Sequence, residues 1–186
     1  DTTLGQEASV VSPNTNVRGL PAELIEGGAL RGVNLFHSFS QFHVGEGQRV
    51  YFANPTGIEN ILSRVTGNNL SNIFGTLGVD GTANLFLLNP NGISFGSNAQ
   101  LDIAGSFVAS TANRLVFDNG ATFSAKNPEA PPLLSINLTP GLQYGSNQPK
   151  ATIANAGNLA VGKDLTLAAG NLDLQGQLQA GRDLTL

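Results

Sequence analysis

The side chains able to do chemistry in this chain are few and far apart. Two histidines, His37 and His43, lie within a stretch of alternating residue types bounded by Gly32 and Gly45. If that stretch is one strand, both rings face the same side, about 20 Å apart along it, too far to share a metal ion. His37 reads instead as a structural residue. The carboxylates Asp80, Asp102, Asp118, Asp164, Asp173 and Asp183 are scattered and read as turn residues, Asp80 and Asp118 adjoining Gly and Asn. Polysaccharide cleavage needs paired carboxylates, or a carboxylate-bound calcium with a basic residue nearby. With no cysteine in the chain, disulfides, thiolate metal sites and thiol nucleophiles are excluded. A chain that crosses an oxidising compartment before threading a pore is also well served by having none. The expectation is no catalytic residue, no metal and no cofactor.

Asn89-Pro90-Asn91-Gly92-Ile93 carries chemistry of another kind. It follows the apolar run Leu85-Phe86-Leu87-Leu88, so it reads as a turn closing a strand. Pro90 presets φ at the second position, Asn91 tolerates the third, and Gly92 accepts a positive φ. Asn89 can bond its own backbone and hold the corner.

The elements that must position these residues are short. Only 12% of the 186 residues are charged and the net charge is −4, against a soluble average of about 25% charged. The surface must therefore be covered by Asn, Ser, Thr, Gln and the 23 glycines. Nine Lys and Arg without a basic run leave no footprint for nucleic acid. No apolar stretch is long enough for a membrane-spanning helix. The longest interval free of Gly and Pro is Ser106–Asn119, which leaves little room for long helices.

Between Gly32 and Gly45, Leu35, His37, Phe39, Gln41 and His43 fall on one alternation, with Phe36, Ser38, Ser40, Phe42 and Val44 on the other. Apolar residues on both predict a strand covered on both faces. Further strands are predicted at Arg49–Ala53, Ala83–Leu88, Ser106–Ser110, Arg114–Phe117 and Ala121–Ala125. Ile58, Ile61, Leu62 and Val65 follow helical spacing, but the segment is only about two turns long and is read as strand. Gly157–Leu167 returns as Gly176–Leu186, an offset of 19 residues. A glycine-cornered period near 20 describes one turn of a β-solenoid. Asp164 and Asp183, one repeat apart with Lys163 and Arg182 beside them, read as a charge-balanced solvent ladder. Because the chain stops inside a repeat, the array is expected to continue. Four prolines between Pro128 and Pro140 predict an excursion off the array, with Leu133–Leu138 as a strand of its own.

Taken together, Ile25-Glu26-Gly27-Gly28, Asn34-Leu35-Phe36-His37-Ser38-Phe39, Asn60–Gly67 and Asn84–Gly96 resemble the N-terminal two-partner secretion domain of the filamentous haemagglutinin family, in wording closest to its cyanobacterial branch. The resemblance covers roughly residues 10 to 125. It implies an all-β fold: a right-handed parallel β-helix with an N-terminal cap and extra-helical β elements. The whole chain would form one domain, with the cap in 1–32, the motif-bearing core in 33–125, the excursion in 126–150 and regular coils in 151–186. It also implies secretion from a Gram-negative cell through the periplasm, after the general export machinery and with the signal peptide already removed. The partner would be an outer-membrane β-barrel transporter bearing periplasmic POTRA domains, and the isolated domain a monomer without a small-molecule substrate. Recognition would fall on Asn34, Leu35, Phe36, His37, Phe39 and Phe42, on the turn Asn89, Pro90, Asn91, Gly92 and Ile93, and on Asn54 and Pro55. The family's second Asn-Pro motif is only half matched there, since Thr56-Gly57 follows. An adhesin module, which exposed aromatics would favour, and a carbohydrate-active β-helix enzyme are the alternatives.

Overall fold

The computed structural model describes residues 1–131, 140–143 and 151–186. Among them every regular element is a β-strand except one short 3-10 turn, Gly5–Glu7. The chain opens with an antiparallel hairpin, β1 (Ser9–Val17) and β2 (Leu20–Gly27). β3 (Ala29–Arg31) then folds back antiparallel on β4 (Asn34–Phe39). Next come β5 (Arg49–Ala53), β6 (Asn60–Val65), β7 (Ser71–Ile73), β8 (Thr76–Asp80), β9 (Asn84–Leu88), β10 (Ile93–Phe95), β11 (Gln100–Asp102) and β12 (Phe107–Ser110). β13 (Arg114–Phe117), β14 (Thr122–Ser124) and β15 (Pro140–Gln143) make a separate antiparallel sheet. It begins at Arg114, ahead of the proline-rich stretch. β16 (Thr152–Asn155), β17 (Asn158–Val161), β18 (Leu165–Ala168), β19 (Asn171–Leu174), β20 (Gln177–Ala180) and β21 (Leu184–Thr185) complete the described strands.

Three sheets carry the architecture: β1-β2-β5-β8-β11, β3-β4-β6-β9-β12-β18-β21 and β7-β10-β16-β19. Apart from the two N-terminal antiparallel pairs, neighbours within them run parallel. Each strand rests on one met a short distance earlier in the chain. Asn34 lies opposite Asn60, an offset of 26, while Leu165 lies opposite Leu184, an offset of 19. All three C-terminal pairings share that value, with Thr152 opposite Asn171 and Asn158 opposite Gln177. The 19-residue sequence repeat is thus a pairing register. Phe107 lies opposite Leu165, an offset of 58, so the chain leaves the stack between them, and β13–β15 form within that departure.

Period-two alternation explains the core. Leu85 and Leu87, Phe107 and Ala109, then Leu165 and Leu167 stack at matching register and point the same way. They meet Phe52, Leu77 and Val79 from the first sheet and Ile73, Ile93, Phe95 and Ile153 from the third. Each large side chain so buried contributes about 1.5–3 kcal/mol. The outer face of the seven-stranded sheet has its own apolar cover. Phe36, Leu62 and Leu88 pack under Leu4, Ala29, Leu115, Phe117 and Phe123, with Phe36 edge-on to Phe123 at 4.8 Å. Five of the six residues of β4 are therefore buried, which accounts for apolar residues on both alternations.

The strand read between Gly32 and Gly45 is shorter than the pattern implied. It stops at Phe39, and Val44 makes a single bridge to Ile73. The chain turns there to reach another sheet, so Phe42 and Val44 join the same interior cluster as Leu35 instead of facing away from it. His43 lies outside the strand and is exposed, so the two histidines do not share a strand face. Asp102 and Asp173 are strand residues, not turn residues. The segment with helical spacing is strand β6, because β4 and β9 bond it on both edges. Arg49–Ala53 and Arg114–Phe117 are strands at the bounds read from the sequence. Three others are shorter by one residue at one or both ends. Leu133–Leu138 lies outside the described residues.

Candidate recognition site

The Asn89–Ile93 corner connects β9 to β10, and its side chains make a closed set of bonds. Gly92, at φ +119°, donates its N–H to the Asn89 carbonyl at 3.1 Å. The Asn89 Oδ1 accepts from the Asn91 backbone at 2.9 Å and from the Asn91 amide at 3.0 Å. Asn89 Nδ2 donates to the Asn69 carbonyl at 3.0 Å and Ser71 Oγ at 2.9 Å. Asn91 Nδ2 reaches the Gly67 carbonyl at 2.8 Å. The turn is thereby fastened to the preceding loop, residues 67–71. Asn89, Pro90, Gly92 and Ile93 are all buried.

The string beginning at Asn34 is divided by the pleat. Asn34 starts a column of register-matched amides: Asn60 Nδ2 donates to Asn34 Oδ1 at 3.1 Å, and Asn84 Nδ2 to Asn60 Oδ1 at 3.0 Å. Leu35 faces the interior and Phe36 the covered outer face. His37 turns inward beside Phe39 and Phe52, 6.2 and 5.2 Å between ring centres. Its Nδ1 lies 2.9 Å from Ser9 Oγ, while Nε2 has no partner among the described residues. Burial pushes its pKa down to about 4, since a charged ring there would lose its water. Phe39, partly exposed, and buried Phe42 complete an aromatic cluster with Phe52.

Asn54 and Pro55 stand at the corner between β5 and β6. Asn54 Oδ1 accepts the Ala83 N–H at 2.9 Å, and Nδ2 donates to the Ile58 carbonyl at 3.0 Å. The Asn54 corner leads into the start of β6, whereas Asn89–Ile93 leaves the end of β9. The two Asn-Pro corners thus sit at opposite ends of one sheet's strands and are not brought together.

Sequence reading missed four arginines that tie the N-terminal segment down. Arg64 is fully buried; it donates to Ser38 Oγ and Thr3 Oγ1, both at 2.9 Å, and lies 4.2 Å over the Phe123 ring. Burial pushes it down to about 10. Those two hydroxyls bond the Asp1 carboxylate, so the cation meets its counter-charge through them. Arg31 makes a bidentate contact with Glu7. The hydrogen bond and the charge lower the Glu7 pKa and raise that of Arg31. Arg18, in the β1–β2 turn, reaches Asp102 at 2.5 Å, and Asp102 accepts the Tyr51 hydroxyl at 2.5 Å. Arg49 lies 4.8 Å over the Tyr51 ring. Burial, then the Asp102 contact, raises the Tyr51 pKa. Partners up to 84 residues apart leave no local pattern to read.

The model of the TPS secretion domain family matches residues 1–185. A heme/hemopexin-binding protein of Haemophilus influenzae is 33% identical over 85 residues, 46% of this chain and 9% of that protein. The chain therefore spans about a tenth of the length of this curated relative. The family match extends over both Asn-Pro corners, the aromatic string and the 19-residue repeats. The protein belongs to the TPS secretion domain family, whose members commit Gram-negative exoproteins to two-partner secretion with a cognate outer-membrane transporter.

Proposed function

We propose that this chain is the secretion-targeting domain of a large exoprotein, read unfolded in the periplasm and wound outside the cell into a right-handed parallel β-helix. The whole chain acts as one domain: a cap over residues 1–32, a motif-bearing core from residue 33, an excursion that opens with β13 at Arg114 and runs to residue 150, and regular coils after 151. The partner is an outer-membrane β-barrel transporter with periplasmic POTRA domains, and the role is targeting and folding, not catalysis.

One observation carries the unfolded reading. The motif side chains are engaged inside the fold: Phe36, Phe42, Asn89 and Pro90 are buried, and the Asn89 amide is fully bonded. A partner that reads them must meet them before folding. An extended stretch of about 11 residues, 34–44, offers main-chain bonds to an exposed POTRA sheet edge and alternating apolar side chains for specificity. Outside, each strand adds to the edge of its predecessor. Folding would draw the chain outward without a nucleotide. Slow, nonlocal parallel pairing keeps it threadable until then.

The test uses unfolded peptide 34–44 against the transporter's periplasmic domains, so that lost stability does not enter. Polar replacement of Phe39 and Phe42 should weaken binding at least tenfold; undiminished binding overturns the recognition role. In cells, Asn89→Leu should lower export, because the buried corner loses its side-chain bonds at about 2 kcal/mol or more. Unchanged secretion of a clearly destabilised domain would make the turn purely structural.

A further inference from the structure

The stack has one interrupted ladder. β10 bonds β16 and β12 bonds β18, yet among the described residues no backbone hydrogen bond joins β11 to β17. The corners on either side are closed, with the Ala156 N–H on the Phe95 carbonyl at 3.0 Å and the Gly162 N–H on the Ile103 carbonyl at 2.9 Å. Between those corners, seven residues (96–102) must face five (157–161). The two extra residues fall at the Ser97-Asn98 corner, and β11 lies beside β17 without a ladder between them. What remains is an open recess of about 550 Å³, lined by Ser97, Asn98, Gln100 and Asn158 among others. Gln100 gives its N–H to the Gly75 carbonyl, on the β8 side. Parallel alternation then turns the N–H and C=O of Leu101 toward β17, where no backbone partner meets them.

A second hollow of about 240 Å³ continues from the same corner, sharing Ser97 and Asn98 and adding Glu46 and Phe74. Phe74 is 40% exposed and, among the described residues, is the one aromatic of the exposed large apolar side chains. The rim of its ring packs against Gly96, where a Cβ would stand 2.7 Å from Cδ1. Gly96 is therefore needed for space. Asn98 Nδ2 donates to Glu46 Oε1 at 2.6 Å, which orients the amide beside the ring. Among the described residues no lysine or arginine lines either hollow.

The geometry points to a binding site for a neutral, equatorially linked hexose chain, running from the Phe74 ring into the β11–β17 recess. A flat aromatic face meets the C–H face of a pyranose. The amides of Asn98, Gln100 and Asn158, with the free Leu101 backbone pair, supply both donors and acceptors to hydroxyls. The Glu46 carboxylate and the lack of cations turn away sulfated or uronic chains. Such a site is separate from the buried export motifs and would act after folding, at the cell surface.

Cellohexaose and mannohexaose, titrated into the folded protein by calorimetry and saturation-transfer NMR, provide the test. At least one should bind saturably with a millimolar or tighter Kd. Phe74→Ala and Asn98→Ala should each weaken it at least fivefold while leaving the thermal midpoint unchanged. Gly96→Ala, which displaces the ring without removing it, should also weaken it. Absence of saturable binding by both sugars to 10 mM overturns the site (a ceiling of about ten times the Kd expected of a small polar contact set). So does binding that survives Phe74→Ala, or a preference for a heparin hexasaccharide.

Discussion

The N-terminal tiers and the C-terminal tiers solve the same stacking problem by different means. From β16 onward, strands are four residues or fewer and all three pairings repeat at 19 residues. The one fully buried polar side chain there is Asn155, which bonds the backbone around Gly157. Between β1 and β9, parallel offsets run from 24 to 27 and the buried side chains include Arg31, His37, Ser38, Ser63 and Arg64. Buried polar groups are costly when mispaired, so they reject wrong registers in a way that interchangeable leucine rungs do not. The regular tiers can add to any matching edge. The irregular ones have a single arrangement, as the proposal that stacking begins at this end requires.

Arg64→Ala is the most direct way to break that comparison. It removes two hydrogen bonds and the stack on Phe123, and leaves Ser38, Thr3 and Asp1 without their cation. We expect a loss of about 3 kcal/mol, read as a lower urea midpoint at unchanged slope. A loss under 1 kcal/mol would mean that the buried polar network does not hold the N-terminal tiers.

Acid should find His37 next. Its pKa is about 4 in the fold and about 6.5 in an unfolded chain. The unfolded state therefore binds the extra proton between those values, and folding stability is complete above pH 6.5 and falls as pH drops toward 4. The ring faces Phe39, Phe52 and Ser9, and burial is what lowers its pKa. Between pH 7 and 4.5 the loss should be roughly 2–3 kcal/mol on top of the carboxylate background. His37→Gln should abolish that increment and keep the background. An unchanged pH profile in His37→Gln would show that the ring is not held neutral.

Gly78→Ala probes the lock on the first sheet. A Cβ there would meet the Tyr51 ring and, at 2.9 Å, the Asp102 carbonyl. Displacing Tyr51 loosens its contacts to Asp102 and Arg49, at about 2 kcal/mol. If the midpoint holds, the Tyr51 cluster adapts and is not part of what fixes the register.

Much of this contrast was legible in the sequence on one side only. The 19-residue repeat announced its register outright, because a residue paired with its own counterpart leaves a period. Strand positions were readable wherever alternation met glycine corners, as at Arg49–Ala53. The Asn89 corner declared its turn chemistry through Pro90 and Gly92. What could not be read depends on contacts distant in the chain. The cover over Phe36 comes from residues 115–123, the cation over Phe123 from Arg64, and the clasp on Asp102 from Arg18. The strand end at Phe39 was hidden because alternation continues through a corner whose direction only the neighbouring sheet sets.

The smallest effect belongs to the ion pair of the regular tiers, and its smallness is what the comparison requires. Arg182 grips both oxygens of Asp164, at 2.7 and 2.6 Å, and the Asp183 N–H adds a third contact at 3.2 Å. The side-chain hydrogen bond from Arg182 holds the Asp164 carboxyl down to about 2. A lowered acid contributes above its ordinary pKa and loses that contribution as pH falls through its folded value. Here, however, the pair stands in solvent, with 63% of the Arg182 side chain exposed. Water and salt screen such contacts, and holding two side chains in place takes back much of the gain. Arg182→Ala should therefore leave the urea midpoint where it was, at pH 7 and at pH 3 alike. Its effect should appear in the kinetics of register choice, since Asp164 and Asp183 would then face each other without the cation. A repeat array carrying Arg182→Ala should form its last pairing more slowly at low ionic strength than at high. A midpoint drop approaching that of Arg64→Ala would erase the distinction between the two ends of the molecule.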